Sequence, residues 1–332
     1  VIKDKKKLVV TLQEKKYMDV VSDFENLKMI TGWAEFKDNK TIVVDGKTEY
    51  EPRYSAEQPP QAISSQGTRV LAVTSGKGGV GKTNLTVNLA IALAMAGQRV
   101  LVIDADLGMA NVDVVLGCMS KKHLLNLLDT GTELEDVLMQ GPYGVKYISG
   151  GSGIEKAAEF SYEEREHLMQ KLSACGRLAD IILIDTGAGL GKNVMDFVLA
   201  ADEVLLVTTP EPTALTDAYA VMKAYSMYAS NKNIRLVVNR VYDEAESRDV
   251  VAKLQQTSKR FLNMPIDCLG YIFEDSTVMR AVRKQTPFLA AQPGCIAARC
   301  VQGLANSVLY GSKMTVKRGW NGFLQQIFHF TR

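Results

Sequence analysis

Between Gly76 and Thr83 the chain reads GKGGVGKT, which fits the spacing G-x-x-x-x-G-K-[ST]. Each residue type has a chemical reason to be there. Without a Cβ, Gly76, Gly78, Gly79 and Gly81 let backbone N–H groups curl around phosphate oxygens. Lys82 can reach the β- and γ-phosphates, and the Thr83 hydroxyl can ligate Mg²⁺. Val80 and Asn84 lie in the same stretch and join the expected nucleotide contacts. Such a cradle needs a strand before it and a helix after it. The apolar run Val70–Val73 supplies the strand. Leu85, Leu89, Ala92 and Leu93 recur at helical spacing behind the loop. The start of that helix adds partial positive charge at the phosphates.

Other residues able to do chemistry fall at the ends of further apolar runs. RVLVIDA (99–105) ends in Asp104 and is followed by Asp106. DIILID (180–185) ends in Asp185, followed by the glycines Gly187 and Gly189. IRLVVN (234–239) ends in Asn239, followed by Arg240. EVLLVT (203–208), a shorter run at 268–272 and a short strand within 143–149 complete the set. Segments of helical length separate them, including 161–175, 216–230 and 249–262. Strand–helix alternation with near-continuous apolar strands predicts a doubly wound, mostly parallel sheet with helices on both faces. In such sheets ligands gather at the carboxyl ends of the strands. A carboxylate just past a strand can orient Mg²⁺ or an attacking water. The fold class is therefore α/β, a P-loop NTPase. No N-K-x-D pairing that reads guanine follows Asn239, which favours ATP over GTP.

The 332 residues allow one large α/β domain with appendages. A net charge of +2 gives no global case for nucleic-acid binding. The five cysteines are scattered with no C-x-x-C pair, which argues against a zinc site or a disulfide framework. No apolar run is long enough to span a bilayer, and no signal peptide opens the chain. Residues 1–50 read as a small α+β or β-rich unit. It has a strand at Leu8–Gln13, helical spacing over Tyr17–Ile30, and a hairpin joining WAEF (33–36) to TIVV (41–44). A further turn at Asp45–Gly46 leads into Thr48–Glu51. Residues 51–67, rich in Pro, Ser and Gln, read as a linker. The ATPase domain then spans 68–311, and 312–332 form a tail.

The tail has its own pattern. Trp320, Phe323, Leu324, Ile327 and Phe328 follow i, i+3, i+4, i+7, i+8, one apolar face if helical. Lys313, Lys317 and Arg318 precede them. That combination suits insertion into the interface of an anionic membrane. A tail docked on its own domain in the monomer and released with ATP is expected.

The second lysine inside the loop, Lys77, makes GKGGVGKT resemble the deviant Walker A motif of the MinD/ParA family. That resemblance implies that Lys77 contacts nucleotide across an ATP-bound homodimer, so hydrolysis serves as a switch. It also implies that Asp106 positions the hydrolytic water and that Asp104 and Asp185, with Thr83, surround the Mg²⁺. Asn239 and Arg240 would sit at the adenine. GKTNLTVNLA, VIDADLGMANVDVVLG, ILIDTGAGL and TTPEPTALTDAY are most similar to the flagellar-number regulators (FlhG/FleN, or YlxH). The resemblance covers residues 68–311 and implies a cytoplasmic ATPase peripherally associated with the inner face of the cell membrane. Its implied partners are an FlhF-type GTPase, flagellar C-ring proteins and, in some bacteria, a flagellar transcription activator. No specific nucleic acid is expected. The D-Q-A-x-x-L-R motif that often opens these proteins, and that contacts the GTPase, is not found in the first 66 residues. The alternatives are a MinD-type regulator of cell division and a ParA-type DNA segregation ATPase. An Mrp-type iron–sulfur carrier would need the missing C-x-x-C, and a bacterial tyrosine kinase a tyrosine-rich tail.

Overall fold

The computed structural model describes residues 34–36, 42–44, 48–50, 67–106, 111–118, 120–150, 161–229, 234–311 and 319–329. The chain divides into two compact units, Val1–Ala62 and Ile63–Arg332. In the first, β1 (Ala34–Phe36), β2 (Ile42–Val44) and β3 (Thr48–Tyr50) form an antiparallel meander. Both expected turns are present: Phe36 pairs with Ile42 and Val44 with Thr48. The expected strand at 8–13, the helix at 17–30 and most of the linker lie outside the described residues. So do Leu107–Ala110 and the tail's Lys313, Lys317 and Arg318.

The second unit is built on an eight-stranded sheet of order β11-β10-β9-β4-β8-β5-β7-β6. Its members are β4 (Arg69–Ser75), β5 (Val100–Ala105), β6 (Met139–Gln140), β7 (Lys146–Ile148), β8 (Ile181–Ala188), β9 (Glu203–Thr208), β10 (Ile234–Val241) and β11 (Asp267–Phe273). All neighbours run parallel except β6, which pairs antiparallel with β7 at the edge. The near-continuous apolar runs follow from burial on both faces. Along β4, Val70 and Ala72 enter one core while Leu71 and Val73 enter the other.

One face is covered by α1 (Lys82–Met95) and α2 (Ile296–Tyr310). The other carries α3 (Tyr162–Ser173), α4 (Lys192–Ala200), α5 (Pro212–Tyr228), α6 (Glu244–Leu262) and the tail helix α7 (Gly319–His329). Helix α1 is buried almost all round from Leu85 to Leu93, which is why its sequence carries apolar residues on every side. Ser161 caps α3 by accepting from Glu164 N at 3.2 Å, while Glu164 returns to Ser161 N at 2.7 Å.

The tail forms the expected helix, and its apolar face is turned onto the body. Trp320, Phe323, Leu324 and Phe328 are buried in the core beneath the sheet. Phe323 stacks between Trp320 and Phe197, with ring centroids 5.3 and 6.2 Å away. Trp320 Nε1 donates to Leu172 O at 2.6 Å, and Gln326 Nε2 to Leu199 O at 3.1 Å. Gly319 N donates to Asp202 Oδ1 at 3.2 Å, so a buried carboxylate meets the start of the helix. The face read as membrane-inserting is thus, in this conformation, part of the protein interior.

Candidate functional site

Strand β4 lies at the centre of the sheet, so the loop after it opens between the ends of β8 and β9. Gly81, at φ +91°, turns that loop into α1. A Cβ on Gly76 would come within 2.2 Å of the Asp217 carbonyl on α5. These two glycines are dictated by backbone conformation and close approach respectively. Lys82 is buried, and its Nζ lies 3.8 Å from Asp185 Oδ1. Thr83 opens the same helix, and Asn84 lines the adjoining cleft.

Register brings the acids together. Asp104 on β5 pairs directly with Asp185 on β8, and both side chains are fully buried. Their environments differ. Asp185 Oδ1 accepts from Thr86 Oγ1 at 2.8 Å, whereas Oδ2 has no hydrogen-bond partner among the described residues. Burial raises the Asp185 pKa, with the Lys82 charge working against that shift. A buried carboxylate oxygen without a donor, beside Lys82 and the Thr83 position, is a fitting acceptor for Mg²⁺ or a water bound to it. Thr83 and Asp185 are the residues that fit the metal.

Asp104 does something else. Oδ1 accepts from Asp106 N at 3.0 Å, and Oδ2 accepts from Asn111 N at 2.9 Å and Val112 N at 3.0 Å. Asp104, expected in the metal surroundings, here has both oxygens engaged by backbone N–H groups and clasps Asp106 to Asn111 and Val112. Asp106 itself is half-buried, with Oδ1 3.5 Å from where a Cβ would stand on Gly187. The water-positioning candidate therefore reaches the glycine loop after Asp185.

Burial first, and the Asp185 charge second, push the Asp104 pKa up to about 7 against three backbone N–H bonds. The sign is that of a raised acid. The folded state holds a proton that the unfolded chain releases above about 3.9, so stability falls between that pH and 7 and levels off above it. Urea denaturation of nucleotide- and Mg²⁺-free protein at pH 5 and 7.5 is expected to give the lower midpoint at 7.5. Asp104→Asn should remove that residue's share of the difference, and an unchanged difference would refute the assignment.

Asn239 sits over the phosphate loop. Nδ2 donates to Val80 O at 2.8 Å, and its oxygen accepts from Arg240 N at 3.0 Å. A Cβ on Gly81 would meet Nδ2 at 2.4 Å. Expected to donate and accept at the base edge, the amide has its oxygen engaged and offers its second N–H. Arg240, at φ +60°, lies at the rim and pairs with Glu274 at 2.8 Å. Beside them opens a cleft of about 460 Å³, lined among others by Asn84, Phe273, Glu274, Met279 and Arg283. Its volume suits a nucleotide base. Asn84 was expected from the sequence; Phe273, Glu274, Met279 and Arg283 were not, because they come from a strand end and a helix with no motif of their own.

Lys77 is half-exposed and turned away from the cradle. Its Nζ lies 2.8 Å from both Glu211 Oε2 and Thr213 Oγ1 at the start of α5. The Lys77 ammonium holds the Glu211 carboxyl below its ordinary range. Freed of this partner, Lys77 is available to a second molecule. Glu211→Gln should therefore lower the ATP concentration needed for dimerisation by a few-fold at most, the pair being solvent-exposed. A shift the other way in sedimentation velocity would mean that Glu211 acts within the dimer. The TTPEPTALTDAY segment contained this partner, but its motif does not reveal the contact.

Among the described residues, no group of three or more His, Cys, Asp or Glu could hold a metal ion by themselves. No described helix is long and apolar enough to cross a membrane. The model of the CobQ/CobB/MinD/ParA nucleotide-binding domain matches residues 71–288. The chain is 41% identical to the antiactivator FleN of Pseudomonas aeruginosa over 248 residues, 75% of this chain and 89% of that protein. It is 33% identical to the flagellum site-determining protein YlxH of Helicobacter pylori over 281 residues, covering 82% and 94% of the two chains. The septum site-determining protein MinD of Pyrococcus horikoshii, solved with Mg-ADP, superposes with TM-score 0.58 at 29% identity, covering 73% of this chain and 96% of that one.

Proposed function

Because the chain belongs to the CobQ/CobB/MinD/ParA nucleotide-binding family and is a P-loop ATPase, we propose that it is an ATP-switched, membrane-cycling dimer that regulates the number and placement of flagella. The likeness to FleN and YlxH supports the flagellar assignment, since it extends over most of all three chains. Lys77 carries the switch. It lies on the rim of the phosphate cradle, held by Glu211 and Thr213 rather than by its own nucleotide site.

In this reading the loop N–H groups and Lys82 bind the β- and γ-phosphates, and Lys77 reaches the nucleotide of a second copy. Mg²⁺, when bound, neutralises phosphate charge. Thr83 and Asp185 are the residues to hold it. Asp106 orients the hydrolytic water beside Gly187. Loss of the γ-phosphate lets the loop after Asp185 relax and the dimer part. Residues 68–311 form the ATPase and 312–332 a targeting tail, whose apolar face exchanges the groove for an anionic lipid surface on the inner face of the cell membrane. An FlhF-type GTPase, C-ring proteins and a flagellar transcription activator are the partners we propose.

Sedimentation velocity with ATP, with ADP and without nucleotide tests the switch. Dimers are expected with ATP alone in the wild type and not in Lys77→Ala. A wild-type monomer under all three conditions would sink the reading. Minicells rather than altered flagellation on deleting the gene would shift it to cell division.

A further inference from the structure

Asp185 owes its orientation to a residue that no motif marks. Thr86 lies one turn beyond Thr83 on α1 and is fully buried. Its hydroxyl donates to Asp185 Oδ1 at 2.8 Å, and it also lies 3.1 Å from Lys82 O, the carbonyl one turn back. Against the opposing charge of Asp106, the other groups that favour this carboxylate's ionised form are Lys82 and Thr83. Both have another task once nucleotide arrives, Lys82 at the phosphates and Thr83 at the metal. Thr86 has none. Among the described residues it is the donor free to hold Oδ1 throughout, which leaves Oδ2, buried and with no hydrogen-bond partner among them, directed for the metal or its water.

We propose that Thr86 is the positioning residue for Mg²⁺: it fixes the Asp185 carboxylate so that one oxygen is committed to the protein and the other to the ion. The physical need is plain. A buried carboxylate with one oxygen free can rotate about its last torsion, and a rotated group presents a different lone pair to the metal. The inference rests on Asp185 as the metal residue of the preceding reading.

The test is titration of Mg²⁺ into protein holding a fluorescent ATP analogue, alongside analogue binding in EDTA and thermal unfolding without nucleotide. In Thr86→Val, which keeps shape and removes the donor, the half-saturating Mg²⁺ concentration is expected to rise by about 10- to 100-fold. Thr86→Ser should restore it to within a few-fold, and analogue binding in EDTA should be unchanged in both. Thr86→Ala serves in place of Thr86→Val if the latter does not fold. An Mg²⁺ midpoint within two-fold of wild type in the donor-less variant would overturn the proposal. So would an equal loss of binding in EDTA, which would make Thr86 merely structural. Asp185→Asn separates the two levels. If it leaves the Mg²⁺ midpoint in place, the metal assignment itself fails; if it raises the midpoint and Thr86→Val does not, only the role of Thr86 fails.

Discussion

Asp106→Ala will turn over ATP on the order of 10²–10⁴-fold more slowly than the wild type, yet will accumulate as an ATP-bound dimer. Both halves follow from where the residue stands. Its backbone N–H is held by Asp104 Oδ1, and its carboxylate lies beside Gly187 near the end of β8. It touches neither the phosphate cradle nor the Lys77 pair, so its removal leaves binding and dimerisation their full set of contacts. On the proposed reading, what is lost is the group that holds water in line with the γ-phosphate. Phosphate release in the steady state, with sedimentation on the same samples, checks both. Turnover within ten-fold of the wild type would remove Asp106 from the mechanism. A dead variant that stays monomeric would instead place it in assembly.

The place of that aspartate just past a strand end was legible in the sequence, and so was most of the site's frame. GKGGVGKT between an apolar run and helical spacing, followed by acids at the ends of two further runs, leaves few alternatives to a P-loop in a parallel sheet. The longer strands fell within a few residues of their expected ends, because burial on both faces writes a continuous apolar signal. The two-residue β6 escaped, being too short to leave any period. Side-chain destinations were the least legible. Asp104 and Asp185 look alike as acids at strand ends. What separates them is whether backbone N–H groups converge on the carboxylate, and that depends on a loop path no local pattern encodes. The same holds for Asn239, whose oxygen is engaged by its own neighbour, and for Lys77, whose partner lies 134 residues away.

The tail's five apolar residues raise a different problem, since one amphipathic face has two apolar environments open to it. Transfer of Trp320, Phe323, Leu324 and Phe328 from the groove to lipid keeps them out of water, so their own hydrophobic term nearly cancels, while the apolar groove they leave is exposed to water and favours docking. The balance also rests on what the groove offers beyond apolarity: Leu172 O for Trp320, Asp202 for Gly319 N, and ring stacking on Phe197. Phe197 lies on α4, which begins at Lys192, after Gly189 and Gly191. Phe197→Ala should therefore free the tail without touching the residues that enter lipid. Of the cost of cutting a buried phenylalanine to alanine, the part that falls on docking is the lost stack on Phe323, about 0.5–1.5 kcal/mol or up to about tenfold. Two changes are expected: hydrogen exchange at 319–329 should accelerate, and binding to vesicles containing anionic lipid should lose its dependence on ATP. Trp320→Ala weakens the groove and the lipid contact together, so it should loosen the helix without raising vesicle binding. If Phe197→Ala exchanges faster at the tail but still needs ATP to reach vesicles, release of the helix is not the step that ATP controls, and the dimer itself must supply the membrane contact.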